Sequence, residues 1–180
     1  MRVYFIGSHC TGKTTLTRYV SDKYKLPMIT EVARAVLAEM EVPLERLRTD
    51  ITVADDYQQR VFARQIESEE RAGEHYVSDR AFDNIAYAAE HARVTGKIVA
   101  SEAFKKYVEK VAQGIVFYVR PHRSIEGVDG VRELYDWDAI VRIDGMVKLL
   151  LEIHDVPYFT LHSPSMQERV RVVDYVLSGS

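Results

Sequence analysis

The stretch FIGSHCTGKTTL, Phe5–Leu16, decides how this chain is read. Its spacing, Gly7-x4-Gly12-Lys13-Thr14, is that of a phosphate-binding P-loop. Gly7 and Gly12 let the backbone approach an anion closely, with Ser8, His9, Cys10 and Thr11 between them. Successive N–H groups from Gly7 to Thr15 then line one concavity, and the helix that follows adds its positive end. Lys13 reaches toward the β- and γ-phosphates of a nucleoside triphosphate, and the Thr14 hydroxyl is placed to ligate Mg²⁺. An apolar run leads into the loop and a helical pattern leaves it, which is the context such a loop needs.

Outward from the loop, short apolar runs predict strands at 2–7, 27–30, 75–79, 114–120 and 156–162. Helical patterns fill the gaps: Thr14 to Tyr24, Glu31 to Met40, about 52–71, and Trp137 to Ile153. Phe82, Ile85, Ala86 and Ala89 share a helical spacing, as do Phe104, Tyr107, Val108 and Val111. Ser165-Met166-Gln167-Glu168 reads as a capping box that opens the last helix. Strands alternating with helices predict an α/β fold, a parallel sheet with helices on both faces. In such sheets ligands bind beyond the carboxyl ends of the strands. No linker or repeat divides the chain, so 1–180 is read as one domain.

Gly7 to Thr15, Glu31, Asp79-Arg80 and Arg120 stand at those strand ends, and further candidates follow them along the chain. Asp79 closes the third strand as a carboxylate for the metal shell, and Arg80 beside it is placed to stabilise a moving phosphoryl group. Asp83 and Asn84 fall in the next helical turn, as caps or, for Asp83, as a substrate contact. Glu31 ends the second strand with Arg34 three residues on, a base and an anion clamp for an acceptor. Gln58, Phe62 and Gln65 share one face of the following helix, amides beside a ring, as a base-reading pocket requires. The acidic run Glu67 to Glu70 reads as solvated. Finally, the segment 121–137 is long for a connection and carries Arg123 and Arg132, which suits a lid that closes over phosphoryl transfer.

Composition bounds the rest. A formal charge of −3 and a pI near 6.1 offer no broad basic field for bulk nucleic acid. A single cysteine forms no internal disulfide and fits a reducing compartment. No run approaches a membrane span, and Met1 leads directly into a strand-like run, so a cytoplasmic protein is expected.

With these residues identified, the chain resembles the small P-loop kinases, and more closely the AAA-ATPase-like group that includes the nicotinamide riboside kinase domain and phage P-loop kinases. The segments that carry the resemblance are GSHCTGKTT, TEVAR, YQQRVFARQIESE, SDRAFDNIAYA, DGVRELYDWD and VPYFTLHSPSMQERVRVV. The resemblance implies a P-loop NTPase with strand order 2-3-1-4-5, ATP as donor, and a hydroxyl or phosphate acceptor between Glu31, Asp79-Arg80 and the glutamine helix; with Mg²⁺ as cofactor, the leading reading is a nucleoside or nucleotide kinase. It implies Glu31 as base, Arg80 as phosphate ligand and Gln58 or Gln59 as base reader. It leaves the acceptor open. A kinase acting on a hydroxyl of nucleic acid, at a modified base or a 5′ end, is an alternative. So is a nucleotide-dependent binding switch or ATPase. The acidic balance favours a small-molecule acceptor over a polymer. The oligomeric expectation is a monomer or a homodimer.

Overall fold

In the computed structural model, which describes residues 1–123 and 136–179, the chain alternates strand and helix as the sequence expects. The strands are β1 (Arg2–Ile6), β2 (Met28–Ile29), β3 (Tyr76–Ser78), β4 (Ile115–Val119) and β5 (Phe159–Leu161). They form one parallel sheet in the order β2-β3-β1-β4-β5. Tyr4 is in register with Ser78 on one side, and Phe5 with Phe117 on the other. The helices are α1 (Lys13–Tyr24), α2 (Val32–Glu39), α3 (Arg46–Thr49), α4 (Ile51–Ala72), α5 (Asp83–His91), α6 (Thr95–Val99), α7 (Glu102–Ala112), α8 (Trp137–Ile153) and α9 (Met166–Ser178). The short helices α3 and α6 were not expected; each is a turn or so, too short for a periodic signal.

The sheet is buried on both faces, and residue alternation divides it cleanly. Val3 and Phe5 of β1, with Phe117 and Val119 of β4, pack under α1 and α9 against Leu16, Val20 and Val173. Tyr4 and Ile6, with Val116 and Tyr118, point to the other face and meet Phe82, Phe104, Val111 and Val147. The buried face of α7 is Phe104, Tyr107, Val108 and Val111, as its spacing dictates. Helix α5 departs from its expected stripe: Asp83 to Ala88 are all buried, while Ala89 is exposed. It runs between α4 and α8, so it has no single apolar face.

Side-chain caps open α4, α7, α8 and α9. Asp50 accepts the N–H groups of Thr52 and Val53 at 3.1 and 3.3 Å, and Ser101 accepts that of Phe104 at 3.2 Å. At α9 the Ser165 hydroxyl accepts the Glu168 N–H, as the capping box requires. The return bond is relayed: Glu168 takes the Ser163 hydroxyl, and Ser163 Oγ accepts the Ser165 N–H at 3.0 Å.

Glu69 corrects the expectation of a solvated acidic run. Glu67 and Glu70 are exposed, but Glu69 is fully buried. The hydroxyls of Tyr4, Tyr76 and Tyr107 and the Gln65 amide donate to its carboxylate, and Lys110 Nζ lies 3.0 Å away. This closed network ties α4 to β1, β3 and α7. A buried carboxylate is tolerated only with such saturation. Removing it strips the acceptor from three hydroxyls and leaves Lys110 unpaired. Glu69→Ala is therefore expected to lower stability by about 3–5 kcal/mol. Glu67→Ala, which breaks only surface pairs to Arg64 and Arg71, should cost less than about 1 kcal/mol. Equilibrium urea unfolding of both variants measures the contrast.

Candidate active site

The loop between β1 and α1 takes its shape from close approach. A Cβ at Gly7 would lie 2.3 Å from the Val119 carbonyl oxygen, so β1 and β4 meet there with room for hydrogen only. Gly12 has φ 89°, and a Cβ there would meet the Met166 side chain at 2.7 Å. Lys13 Nζ donates to the carbonyls of Gly7 and Ser8 at 2.9 and 2.6 Å, and Thr11 Oγ1 donates to Ser8 at 3.2 Å. Burial pulls the Lys13 ammonium below its ordinary pKa, although the carboxylates of Asp83 and Asp79 oppose this. From α9, the buried Arg169 guanidinium donates to the carbonyls of Thr11, Arg120 and Ser163. It fixes the loop from behind, and burial lowers its pKa.

Asp79, just past β3, meets α1 across the strand ends. The Thr14 hydroxyl donates to Asp79 Oδ2 at 2.8 Å. Burial pushes the Asp79 carboxyl up, against the opposing pull of Arg80, Thr14 and Lys13. A hydroxyl and a buried carboxylate side by side are hard oxygen donors. No cluster of three or more His, Cys, Asp or Glu side chains suited to a metal occurs among the described residues. That donor set fits Mg²⁺, which takes one or two protein oxygens and completes its shell with water and substrate phosphate.

Two cavities open from this point. The outer cleft, about 510 Å³, runs along His9 to Thr15 and takes in Glu31, Arg34, Asp79 and Arg80. The inner pocket, about 110 Å³, lies behind it between α3, α4 and α5, walled by Tyr57, Gln58, Val61, Asn84 and Leu47. They share His9, Ala33, Leu44, Tyr57, Arg80 and Tyr87. The His9 and Tyr87 rings lie 4.1 Å apart, and Tyr57 donates to the Ala33 carbonyl at 3.2 Å. Burial and the charges of Lys13 and Arg80 hold His9 well below its usual pKa, so it is neutral near pH 7.

Most of the residues singled out in the sequence are brought together here. His9 to Thr15, Glu31, Arg34, Asp79 and Arg80 line the outer cleft, and Gln58 lines the inner pocket. Glu31 adopts φ 59°, left-handed for a residue with a side chain, and pairs with Arg34 at 3.1 Å on an exposed face. Ser8 is buried beneath the loop.

Others are placed differently. Gln59 lines neither cavity; its Nε2 donates to the Asp55 carbonyl and its Oε1 faces Lys97. Phe62 is a core ring against Phe104 and Tyr107, because the face it shares with Gln58 turns into the interior one helical turn on. Gln65, a further turn along, donates to Glu69, to Ser78 and to the Arg80 carbonyl at 3.4 Å, so it supports β3 rather than a base. Asp83 and Asn84 do not cap α5 in the usual way. Asp83 Oδ1 accepts the Ala81 N–H, and Asn84 Nδ2 donates to the Gln58 carbonyl. Arg123 rests over the Trp137 ring at 5.1 Å and lines neither cavity. Arg132, and residues 124–135 of the expected lid, lie outside the described residues.

Sequence reasoning missed Tyr57, Tyr87, Arg48 and the pocket role of Asn84. It also missed Asp144 on α8, buried and 3.0 Å from the Arg120 guanidinium. Only Tyr57 and Tyr87 carried a signal, as lone aromatics on polar helix faces.

Sheet order, loop and strand-end carboxylate together define a P-loop kinase fold. A family model described as an AAA domain matches residues 2–169, and the chain belongs to that family. No curated protein matches its sequence. Among solved structures, deoxyadenosine kinase from M. mycoides with bound dATP superposes with a TM-score of 0.71 at 12% identity, covering 99% of this chain and 100% of that one. NadR protein in complex with NR gives 0.74 at 16% identity, covering 98% of this chain and 50% of that one. Shikimate kinase from Acinetobacter baumannii gives 0.61 at 14% identity, covering 99% and 94%.

Gly7→Ala tests the close approach. Its methyl group must displace the Val119 carbonyl or the loop, so nucleotide affinity is expected to fall by about tenfold or more and stability by about 1–3 kcal/mol. Calorimetric ATP titration and thermal melting check both.

Proposed function

We propose that this protein is an ATP- and Mg²⁺-dependent phosphotransferase whose acceptor is a small nucleoside or nucleotide. One observation carries the reading: the phosphate-loop cleft and a smaller pocket share a wall, with Arg80 and Tyr87 between them. A phosphoryl donor in the first and an acceptor in the second would meet at that wall. A binding switch needs only the first cavity. The kinase structures that superpose on the chain support the same reading, since two of them are complexes with a deoxynucleotide and with NR.

Each residue then has a task. The loop N–H groups and Lys13 hold and neutralise the donor phosphates. Thr14 and Asp79 would hold Mg²⁺, which when bound supplies charge neutralisation on the phosphates. Glu31, at the mouth of the cleft, accepts the proton of the attacking hydroxyl, and Arg34, 3.1 Å away, orients that carboxylate. Arg80 faces both cavities and offers its guanidinium to the group in transit. The buried walls keep water from competing with the acceptor.

The decisive experiment incubates the protein with Mg²⁺-ATP and a panel of nucleosides, nucleotides, shikimate and oligonucleotides, and follows transfer of one phosphoryl group by mass spectrometry. Transfer to nucleosides or nucleotides is the expected result. Transfer to oligonucleotides alone, falling steeply with salt, would replace this reading with a nucleic-acid kinase. Lys13→Ala is expected to lower turnover by about 10²–10³-fold, the scale of losing one electrostatic donor. Glu31→Gln should lower turnover by about 10²–10⁴-fold while the ATP KM stays within about twofold, since the donor does not touch it. Steady-state kinetics with the best acceptor measures both.

A further inference from the structure

The inner pocket contains polar atoms that no hydrogen bond among the described residues satisfies. Gln58 Oε1 and Asn84 Oδ1 are both buried, and neither accepts a hydrogen bond. The orientation of Asn84 is fixed by chemistry. Its Nδ2 donates to the Gln58 carbonyl at 3.2 Å; reversing the amide would set oxygen against oxygen. Asn84 therefore presents an acceptor, and the same bond holds it beside Gln58. Both residues line one pocket. Buried polar atoms without partners are rare in folded proteins and point to a ligand that completes them.

The electrostatics of the pocket narrow the ligand further. Its charged wall residues are Arg48 and Arg80, with His9 and His91; no carboxylate is among its lining residues. Burial lowers the pKa of both histidines, so their rings are uncharged at neutral pH. The charge on the described lining is thus that of two guanidinium groups, with the Asp83 and Asp79 carboxylates acting on Arg80 from outside that lining, and this wall suits a neutral ring better than a cationic one. Tyr57, Tyr87, Leu44, Leu47 and Val61 supply flat and apolar walls for a neutral one.

We infer that Asn84 and Gln58 select an acceptor whose uncharged heterocycle carries an exocyclic amino group, as in cytosine or adenine nucleosides and nucleotides. One –NH₂ group carries two N–H donors and meets the Asn84 oxygen, and the Gln58 amide, which no hydrogen bond orients, can turn its oxygen to the same group; a keto oxygen in that place meets the Asn84 acceptor with repulsion. Asn84 is thus a specificity-determining residue. This inference rests on the proposed acceptor pocket.

Matched pairs test it: cytidine against uridine and adenosine against inosine, each as ribo- and deoxynucleoside, with nicotinamide riboside as the cationic-ring probe. Binding is measured by calorimetry in the presence of a non-hydrolysable ATP analogue and Mg²⁺, and turnover with ATP. The amino member of at least one pair is expected to bind and react about tenfold or more better than its keto partner. Nicotinamide riboside should trail it. Asn84→Leu should bring that pair within about twofold. Equal or reversed preference in every wild-type pair overturns the inference by itself, even if Asn84→Leu fails to fold. So does a pair ratio that survives Asn84→Leu, or a preference for the cationic ring. Failure of the broader reading looks different. If amino nucleosides bind with the stated preference and none is phosphorylated, selection by Asn84 stands and the kinase reading falls. If keto nucleosides or shikimate are phosphorylated instead, the kinase reading stands and this inference falls.

Discussion

A buried guanidinium without a carboxylate holds the phosphate loop in place. Arg169 gives its N–H groups to the carbonyls of Thr11, Arg120 and Ser163, and makes no ion pair among the described residues. These carbonyls belong to three separate segments: the loop after β1, the end of β4, and the entry to α9. Turning the Thr11 carbonyl toward α9 leaves the opposite side of the loop for N–H groups. The desolvation cost of the cation is offset only while all three acceptors stay in reach. The close contact of Gly7 with Val119 depends on the same alignment, because both β1 and β4 must end at one level.

The second anchor lies on the other face of the sheet. Glu69 binds three tyrosine hydroxyls from β1, β3 and α7, and Gln65 carries the network on to Ser78 and Arg80. The strand end that presents Asp79 and Arg80 is thus braced from α4. A short strand such as β3, three residues long, has few ladder bonds to hold its end, so the side-chain network supplies what the ladder does not.

Much of this was legible in the sequence, and the limits have physical causes. The loop could be read because its chemistry demands glycine, lysine and threonine at fixed spacing. The sheet order followed from resemblance, not from periodicity, because parallel strands buried on both faces carry no alternation to orient them. Gln58 was readable as one member of a face; Phe62 and Gln65 were assigned with it because spacing cannot tell a cavity wall from a core wall along a 22-residue helix. Glu69 was misread because an acidic run looks solvated, and its three tyrosine partners are scattered from Tyr4 to Tyr107. Asn84 looked like a cap because helix starts usually carry one. Its bond is to a carbonyl 26 residues earlier, and no local pattern records that.

Helices α2 and α4 are joined twice. Arg64 grips Glu39 through two parallel bonds at 2.8 Å, and Tyr57 holds the Ala33 carbonyl. Glu31 precedes the first of these helices and Gln58 sits on the second. These contacts fix the spacing between Gln58 and Glu31 across the helix pair. On the function proposed above, that spacing would gauge an acceptor at both ends at once, by the ring it inserts and by how far its hydroxyl extends. A molecule with the right ring on too short or too long an arm would fit the pocket and still present its hydroxyl out of reach of the carboxylate.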